Sequence, residues 1–221
     1  MIQAALERQE LARAHLLLSQ WYGDESLTPA ETQKVESLLS QLAGTVVYSN
    51  EHRLEPPYTV QPGDTLESIA RQYGVPWQLL AKINGVPNVD GVQPGQQLKV
   101  VRGPFSAVVD LHRNQLTLTL DGRYAGRFPI RIEPGASEGE WVVDQKLLAP
   151  GAASPYAAAT PSVDRTLVLR NENPASFGRS LVIASGNTPA GAQPAAIHVS
   201  PGDAEELSDI LSIGSKVVVR R

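Results

Sequence analysis

Residues 58–101 read YTVQPGDTLESIARQYGVPWQLLAKINGVPNVDGVQPGQQLKVV. Tyr58-Thr59-Val60 is a short aromatic and β-branched run, the composition of a strand. Gln61-Pro62-Gly63 follows as a turn. Asp64, with Glu67 three residues on, predicts a helix N-cap in a capping-box arrangement. Leu66, Ile69, Ala70 and Tyr73 recur on one face at helical spacing, and Gly74 ends that helix. Pro76 suits the first turn of a second helix, whose apolar residues are Trp77, Leu79, Leu80 and Ile83. Asn84-Gly85 stops it. Pro94-Gly95 then turns the chain into a second strand, Leu98-Lys99-Val100-Val101. The predicted order is strand, helix, helix, strand.

This stretch resembles a lysin motif (LysM), a small βααβ module that binds N-acetylglucosamine-containing glycans. The matching pieces are Tyr58-Thr59-Val60, Gly63-Asp64-Thr65-Leu66, Ile69-Ala70, Leu80, Asn84 and Pro94-Gly95-Gln96. Many spaced matches are far more specific than one short motif. The resemblance implies a shallow sugar groove between the loop after the first strand and the loop after the second helix. Carried over, those loops contain Gly63, Asp64, Thr65, Leu66, Asn84, Gly85, Val86 and Pro87. Each has a plain structural reading too: Asp64 as a cap, Asn84-Gly85 as a helix stop.

Upstream, residues 1–57 predict an αα-hairpin. Leu6, Leu11, Ala14, Leu17 and Leu18 mark one face of a first helix, ended by Trp21-Tyr22-Gly23-Asp24. Thr28-Pro29-Ala30-Glu31 is a helix start: Thr caps, Pro takes the first helical position, and Glu31 returns a bond to the cap. Val35, Leu38, Leu39 and Leu42 form the second stripe. The expected role is structural, a packing platform or the stub of a stalk, and Leu54-Glu55-Pro56-Pro57 reads as a stiff linker.

Downstream, residues 103–221 predict a mostly-β domain. Ala107 to Leu111 is strand-like; Gln115 to Leu120 alternates, with Leu116, Leu118 and Leu120 on one face. Asp121-Gly122 is a strong hairpin turn, and Arg123 to Ile132 returns. Trp141-Val142-Val143 reads as a short strand, followed by an Ala- and Pro-rich loop from Leu148 to Ser162. Thr166–Leu169, Leu181–Ile183, Ala196–Val199 and Lys216–Arg220 supply further strands. One helix interrupts them: Ser200 caps it, Pro201 starts it, and Leu207, Ile210 and Leu211 face inward.

This part resembles the L,D-transpeptidase (YkuD-type) domain, a β-sandwich that cross-links peptidoglycan stem peptides. The resemblance rests on Val108-Val109-Asp110-Leu111 with the Asp121-Gly122 hairpin, on Gly139-Glu140-Trp141-Val142-Val143, and on the closing run from Ile197 to Val218. The fold class implied for the whole chain is α+β multidomain: αα-hairpin (1–57), βααβ module (58–102) and transpeptidase-like β-sandwich (103–221). The family's active-site motif is an Ile-His-Gly strand, then Ser-His-Gly-Cys, an apolar residue and Arg. With the closing helix in register, Ala195-Ala196-Ile197-His198 takes the Gly-Cys-apolar-Arg positions. The nucleophile position is then Ala196, the motif histidine falls on Pro194 with Gln193 before it, and the strand histidine on Ala184. An alternative register makes His198 the strand histidine.

Acyl transfer through a covalent intermediate needs a nucleophile beside a base, and Ala and Pro can be neither. The resemblance therefore implies a pseudoenzyme with no catalytic residues, its degenerate positions being Ala184, Pro194, Ala195, Ala196 and His198. Ser185 or Ser200 paired with His198 is the one route to a new hydrolase, and only geometry identifies such a set.

Composition narrows the partners. With 221 residues and a net charge of −4, the chain lacks the clustered Lys and Arg that nucleic acid requires. There are no cysteines, which removes disulfides and thiolate sites, and His15, His52 and His112 are too scattered for a metal site. No cofactor is expected. No apolar run approaches the roughly 20 residues of a membrane span. The expected partners are peptidoglycan glycan strands, with stem peptides or an envelope protein as a second contact. The expected location is extracytoplasmic, in the envelope or periplasm, with an export signal or anchor upstream of Met1. The reading of function is a glycan-binding envelope protein with an inactive transpeptidase-like domain. The alternatives are an active transpeptidase or carboxypeptidase relative and a structural envelope scaffold.

Overall fold

A computed structural model describes residues 1–88, 91–133, 136–150, 163–173, 180–185 and 195–221. The chain forms two compact units. The first comprises Met1–Phe105 with Leu118–Gly126, the second Ser106–Thr117 with Arg127–Arg221.

In the first unit the predicted first helix is two, α1 (Ile2–Glu7) and α2 (Leu11–Ser19). The chain breaks at Gln9, whose φ of 61° is left-handed, and the Glu10 amide closes back on the Ala5 carbonyl. No glycine or proline marks that break, so periodicity ran straight through it. α3 (Pro29–Ala43) begins as expected: Glu31 N donates to Thr28 Oγ1 and the Thr28 amide donates to the Glu31 carboxylate at 2.9 Å. The apolar stripe then continues through a π-helical turn, Gly44–Tyr48, which buries Val46 and Val47. Leu18, Leu39, Leu42 and Ala43 form a core with Tyr124, and Tyr22, Val35 and Leu38 pack around it. Two hydrogen bonds fasten this core: Tyr124 N to Ser19 Oγ at 3.0 Å and Tyr48 OH to the Ala125 carbonyl at 2.6 Å.

The same unit holds the strand–helix–helix–strand module. β1 (Tyr58–Thr59) pairs antiparallel with β2 (Gln97–Leu98), and α4 (Leu66–Tyr73) and α5 (Trp77–Asn84) lie between them in sequence. Gly74 and Gly85 end the two helices with φ of 67° and 63°, a conformation a Cβ would strain. The N-terminal signals need correction. Thr65, not Asp64, caps α4, in a reciprocal box with Ser68. Asp64 is already engaged, accepting from Tyr58 OH and Gln61 N at 2.8 Å each. Pro76 is the residue before α5 rather than in its first turn.

Among the described residues, a second sheet has nine strands in the order β5-β4-β3-β11-β7-β8-β9-β10-β6. They are β3 (Ser106–Asp110), β4 (Gln115–Leu120), β5 (Arg123–Pro129), β6 (Arg131–Ile132), β7 (Gly139–Pro150), β8 (Val163–Asn171), β9 (Ser180–Ala184), β10 (Ala195–His198) and β11 (Lys216–Arg220). Three strands differ from expectation. The return of the hairpin is split at Ile130 into β5 and β6, which occupy opposite ends of the sheet order. The short strand at Trp141 is the start of the 12-residue β7, which pairs with β8 across a bulge between Val143 and Gln145. The predicted loop therefore loses Leu148 to Pro150 to β7, and residues 151–162 lie outside those described. α6 (Pro201–Ile210) begins at Ser200, whose Oγ accepts from Asp203 N, and buries Leu207, Ile210 and the following Leu211. α+β is thus the class the structure has. Among the described residues, no helix is long and apolar enough to cross a membrane.

Candidate functional site

Two places gather the candidate residues, one in each unit. In the first, both loops of interest hang from the β1–β2 pair. The Tyr58 hydroxyl holds Asp64, which braces the turn from Gln61. The Asn84 amide spans to β2's end: its Oδ1 accepts from Lys99 N at 2.7 Å, and its Nδ2 donates to the carbonyls of Lys99 and Leu80 at 2.8 and 2.9 Å. Asn84 is therefore a bracket whose amide is engaged at both ends. Leu66 and Val86 point into the core, being 0% and 7% exposed. Gly63, Gly85 and Pro87 are exposed, and Asp64 and Thr65 are half-buried. Asn84 is half-buried as well, so of the eight loop residues six keep surface on which a ligand could lie.

A residue that sequence reading passed over stabilises this arrangement. Lys99 is 1% exposed, and its Nζ donates to the carbonyls of Val46, Ser49 and Glu51. The Val46 and Ser49 carbonyls lie in the last turn and at the C-cap of the π-helical segment, and a cation suits the negative end of a helix. Burial lowers its pKa from 10.5 to about 8, with Glu51 opposing and Arg53 adding to the shift.

In the second unit, three of the motif candidates, Ala184, Ala196 and His198, lie on β9 and β10. These strands run parallel, pairing His198 with Ala184 and Ala196 with Val182. Alternation puts Ala184, Ala196 and His198 on one face. Ala184 and Ala196 are 3% and 0% exposed, so both present buried methyl groups. Ala195 lies on the opposite face and is half-buried. Pro194 and Gln193 lie outside the described residues.

β6 covers the other side of β10, pairing Arg131 with His198 and Ile132 with Ile197. Arg131 thus shares the face of His198. Just beyond β6, Glu133 donates its amide to the Ala196 carbonyl and accepts from His198 Nε2 at 2.7 Å. A carboxylate only accepts, so the imidazole is the donor. Pro129, Ile130, Arg131, Ser185, His198, Val199 and Ser200 line a pocket of about 400 Å³ here. Neither serine is aimed at the histidine: Ser185 Oγ donates to Asp164 and Ser200 Oγ to Asp203. Arg131 and Glu133 went unnoticed in the sequence because their alternation covers only three residues.

Comparison with known proteins adds two findings. The LysM domain family matches residues 58–101. Those residues are a LysM domain. The N-acetylmuramoyl-L-alanine amidase sle1 of Staphylococcus saprophyticus is 32% identical over 75 residues, 34% of this chain, which spans only 23% of the amidase's length. The L,D-transpeptidase YkuD of Bacillus subtilis is 27% identical over 177 residues, covering 74% of this chain and 98% of that protein. The part that follows the LysM domain is homologous to YkuD. An L,D-transpeptidase from Mycobacterium smegmatis aligns over 61% of this chain and 65% of its own, at 17% identity and a TM-score of 0.34. LysM domains bind peptidoglycan glycan and these homologues are cell-envelope proteins, so a cell-wall-related function is supported.

Proposed function

We propose that this protein binds the glycan strands of peptidoglycan through its LysM domain and that its transpeptidase-like domain is a non-catalytic contact surface. The protein then works in the envelope or periplasm. Residues 1–57, 58–102 and 103–221 serve as scaffold, glycan module and contact domain. The observation that carries this reading is the pairing of β9 with β10. It sets Ala184 opposite His198 and leaves a buried methyl at Ala196, where the homologous reaction needs a thiol. Without a nucleophile, an electrostatic site supplies only a residual rate.

The glycan surface we assign is Gly63, Asp64, Thr65, Asn84, Gly85 and Pro87, with Leu66 and Val86 supporting it from beneath. Sedimentation of the full chain with purified sacculi tests the binding half. The chain is expected in the pellet and is released by a soluble N-acetylglucosamine tetramer. Pelleting that the tetramer does not reverse would remove the LysM glycan surface from the account.

A further inference from the structure

A further cavity of the second unit lies away from the motif positions. β8 pairs Thr166 with Ala184 and Arg170 with Ser180, so Asn171 is at the end of the sheet remote from Ala184 and Ser185. Glu138, Gly139, Glu140, Asn171, Glu172 and Asn173 line a pocket of about 350 Å³ there.

Two N–H donors border it. Trp141, two residues along β7 from Gly139, is 2% exposed, and among the described residues its indole Nε1 has no acceptor. A buried indole N–H ordinarily finds one, so an unpaired one calls for a partner from outside. Asn171 Oδ1 accepts from Asn173 N at 2.7 Å, which fixes the amide and leaves Nδ2 as the second donor. Both nitrogens approach Gly139: a Cβ there would stand 3.3 Å from Asn171 Nδ2 and 3.6 Å from Trp141 Nε1. Gly139 has a φ of 146°, a conformation that a side chain would strain, so the space beside the two donors stays open.

The rest of the lining is acidic. Glu138 is held by Arg221 at 3.3 Å, while Glu140 and Glu172 are exposed neighbours, the Glu172 amide donating to the Glu140 carbonyl at 3.1 Å. An anionic ligand would face these carboxylates, and among the described residues no group of three His, Asp or Glu is arranged for a metal ion. An ammonium or guanidinium group offers the two N–H donors nothing to bond. An uncharged hydroxyl suits both parts at once: its oxygen accepts from Trp141 Nε1 and Asn171 Nδ2, and its proton goes to a carboxylate. A volume of about 350 Å³ takes roughly one or two sugar rings.

We propose that this pocket binds an uncharged saccharide, with one ring hydroxyl seated over Gly139 between Trp141 Nε1 and Asn171 Nδ2 and donating to Glu140 or Glu172. The site is separate from the glycan surface assigned to the LysM domain, and it does not depend on whether the second unit is catalytic. No bond is made or broken.

Nuclear magnetic resonance of the nitrogen-15-labelled full chain tests this, since only three tryptophans give indole N–H signals. The Trp141 signal is the one missing from Trp141→Phe. Titration with cellobiose and with N,N′-diacetylchitobiose should move it saturably for at least one of the two. Gly139→Ala fills the seat and should raise the midpoint by about tenfold or more; Glu140→Gln combined with Glu172→Gln, at exposed positions that β7 tolerates, should raise it by about threefold or more. No movement with either disaccharide, movement only with N-acetyl-arginine amide, or an unchanged midpoint in the double variant would overturn the proposal. The double variant should still pellet with sacculi in a tetramer-sensitive way, so loss of this pocket and loss of the LysM surface are read separately.

Discussion

His15 shows how a single side chain ties stability to pH. Its ring is fully buried in α2. Burial lowers its pKa from 6.5 to about 4; the Tyr124 backbone offsets part of this and Arg123 adds to it. The unfolded chain therefore takes up this proton first. Stability from His15 is complete above about pH 6.5 and is lost as pH falls towards 4, by at most about 3 kcal/mol. Melting temperature measured from pH 7 to 4 should fall, and His15→Leu should flatten that fall. Lys99 is a second buried titratable group. Lys99→Met removes the donor to three carbonyls and is expected to destabilise the fold by about 3 kcal/mol, read from the urea midpoint. Neither role was legible in the sequence. Lys99 sits in the run Leu98-Lys99-Val100-Val101, where a strand pattern gives no sign that one face meets three backbone carbonyls. Asp64 misled for a related reason: capping chemistry fits it, but the Tyr58 hydroxyl claims its carboxylate first.

At the scale of elements, local signals held at several helix ends, though not at the start of α4. Thr28 with Glu31, Ser200 with Asp203, and the left-handed glycines at 74 and 85 were all readable, because each satisfies groups at a helix end. β7 was not, since beyond Val143 its run Asp144 to Pro150 lacks clean alternation and is held by its pairing with β8. The α1–α2 break was invisible because Gln9 adopts a positive φ with no compositional cue. Two element-level changes follow. Thr65→Ala should lower stability by about 1 kcal/mol in denaturant titration, whereas a cap at Asp64 would leave this variant unchanged. Gly103→Ala would push a Cβ into the Gly74 carbonyl and to 2.9 Å from Val75 Cγ1, so its melting temperature should drop clearly. That drop is checked by calorimetric scanning against the wild type.

For the whole molecule, the order of parts was legible from motif spacing: helical start, LysM domain, then the YkuD-homologous part. What spacing could not give was which side chains meet. Cross-strand register alone sets Arg131, His198 and Ala184 in one row. The central claim is wall binding without turnover. The muropeptide profile of purified sacculi, taken by chromatography after incubation with the chain and after buffer alone, tests it most directly. The account predicts identical profiles while the protein is found in the pellet. New cross-links or trimmed stem peptides in the protein-treated sample would contradict it, and would mean that this domain still performs acyl transfer with residues other than Ala196.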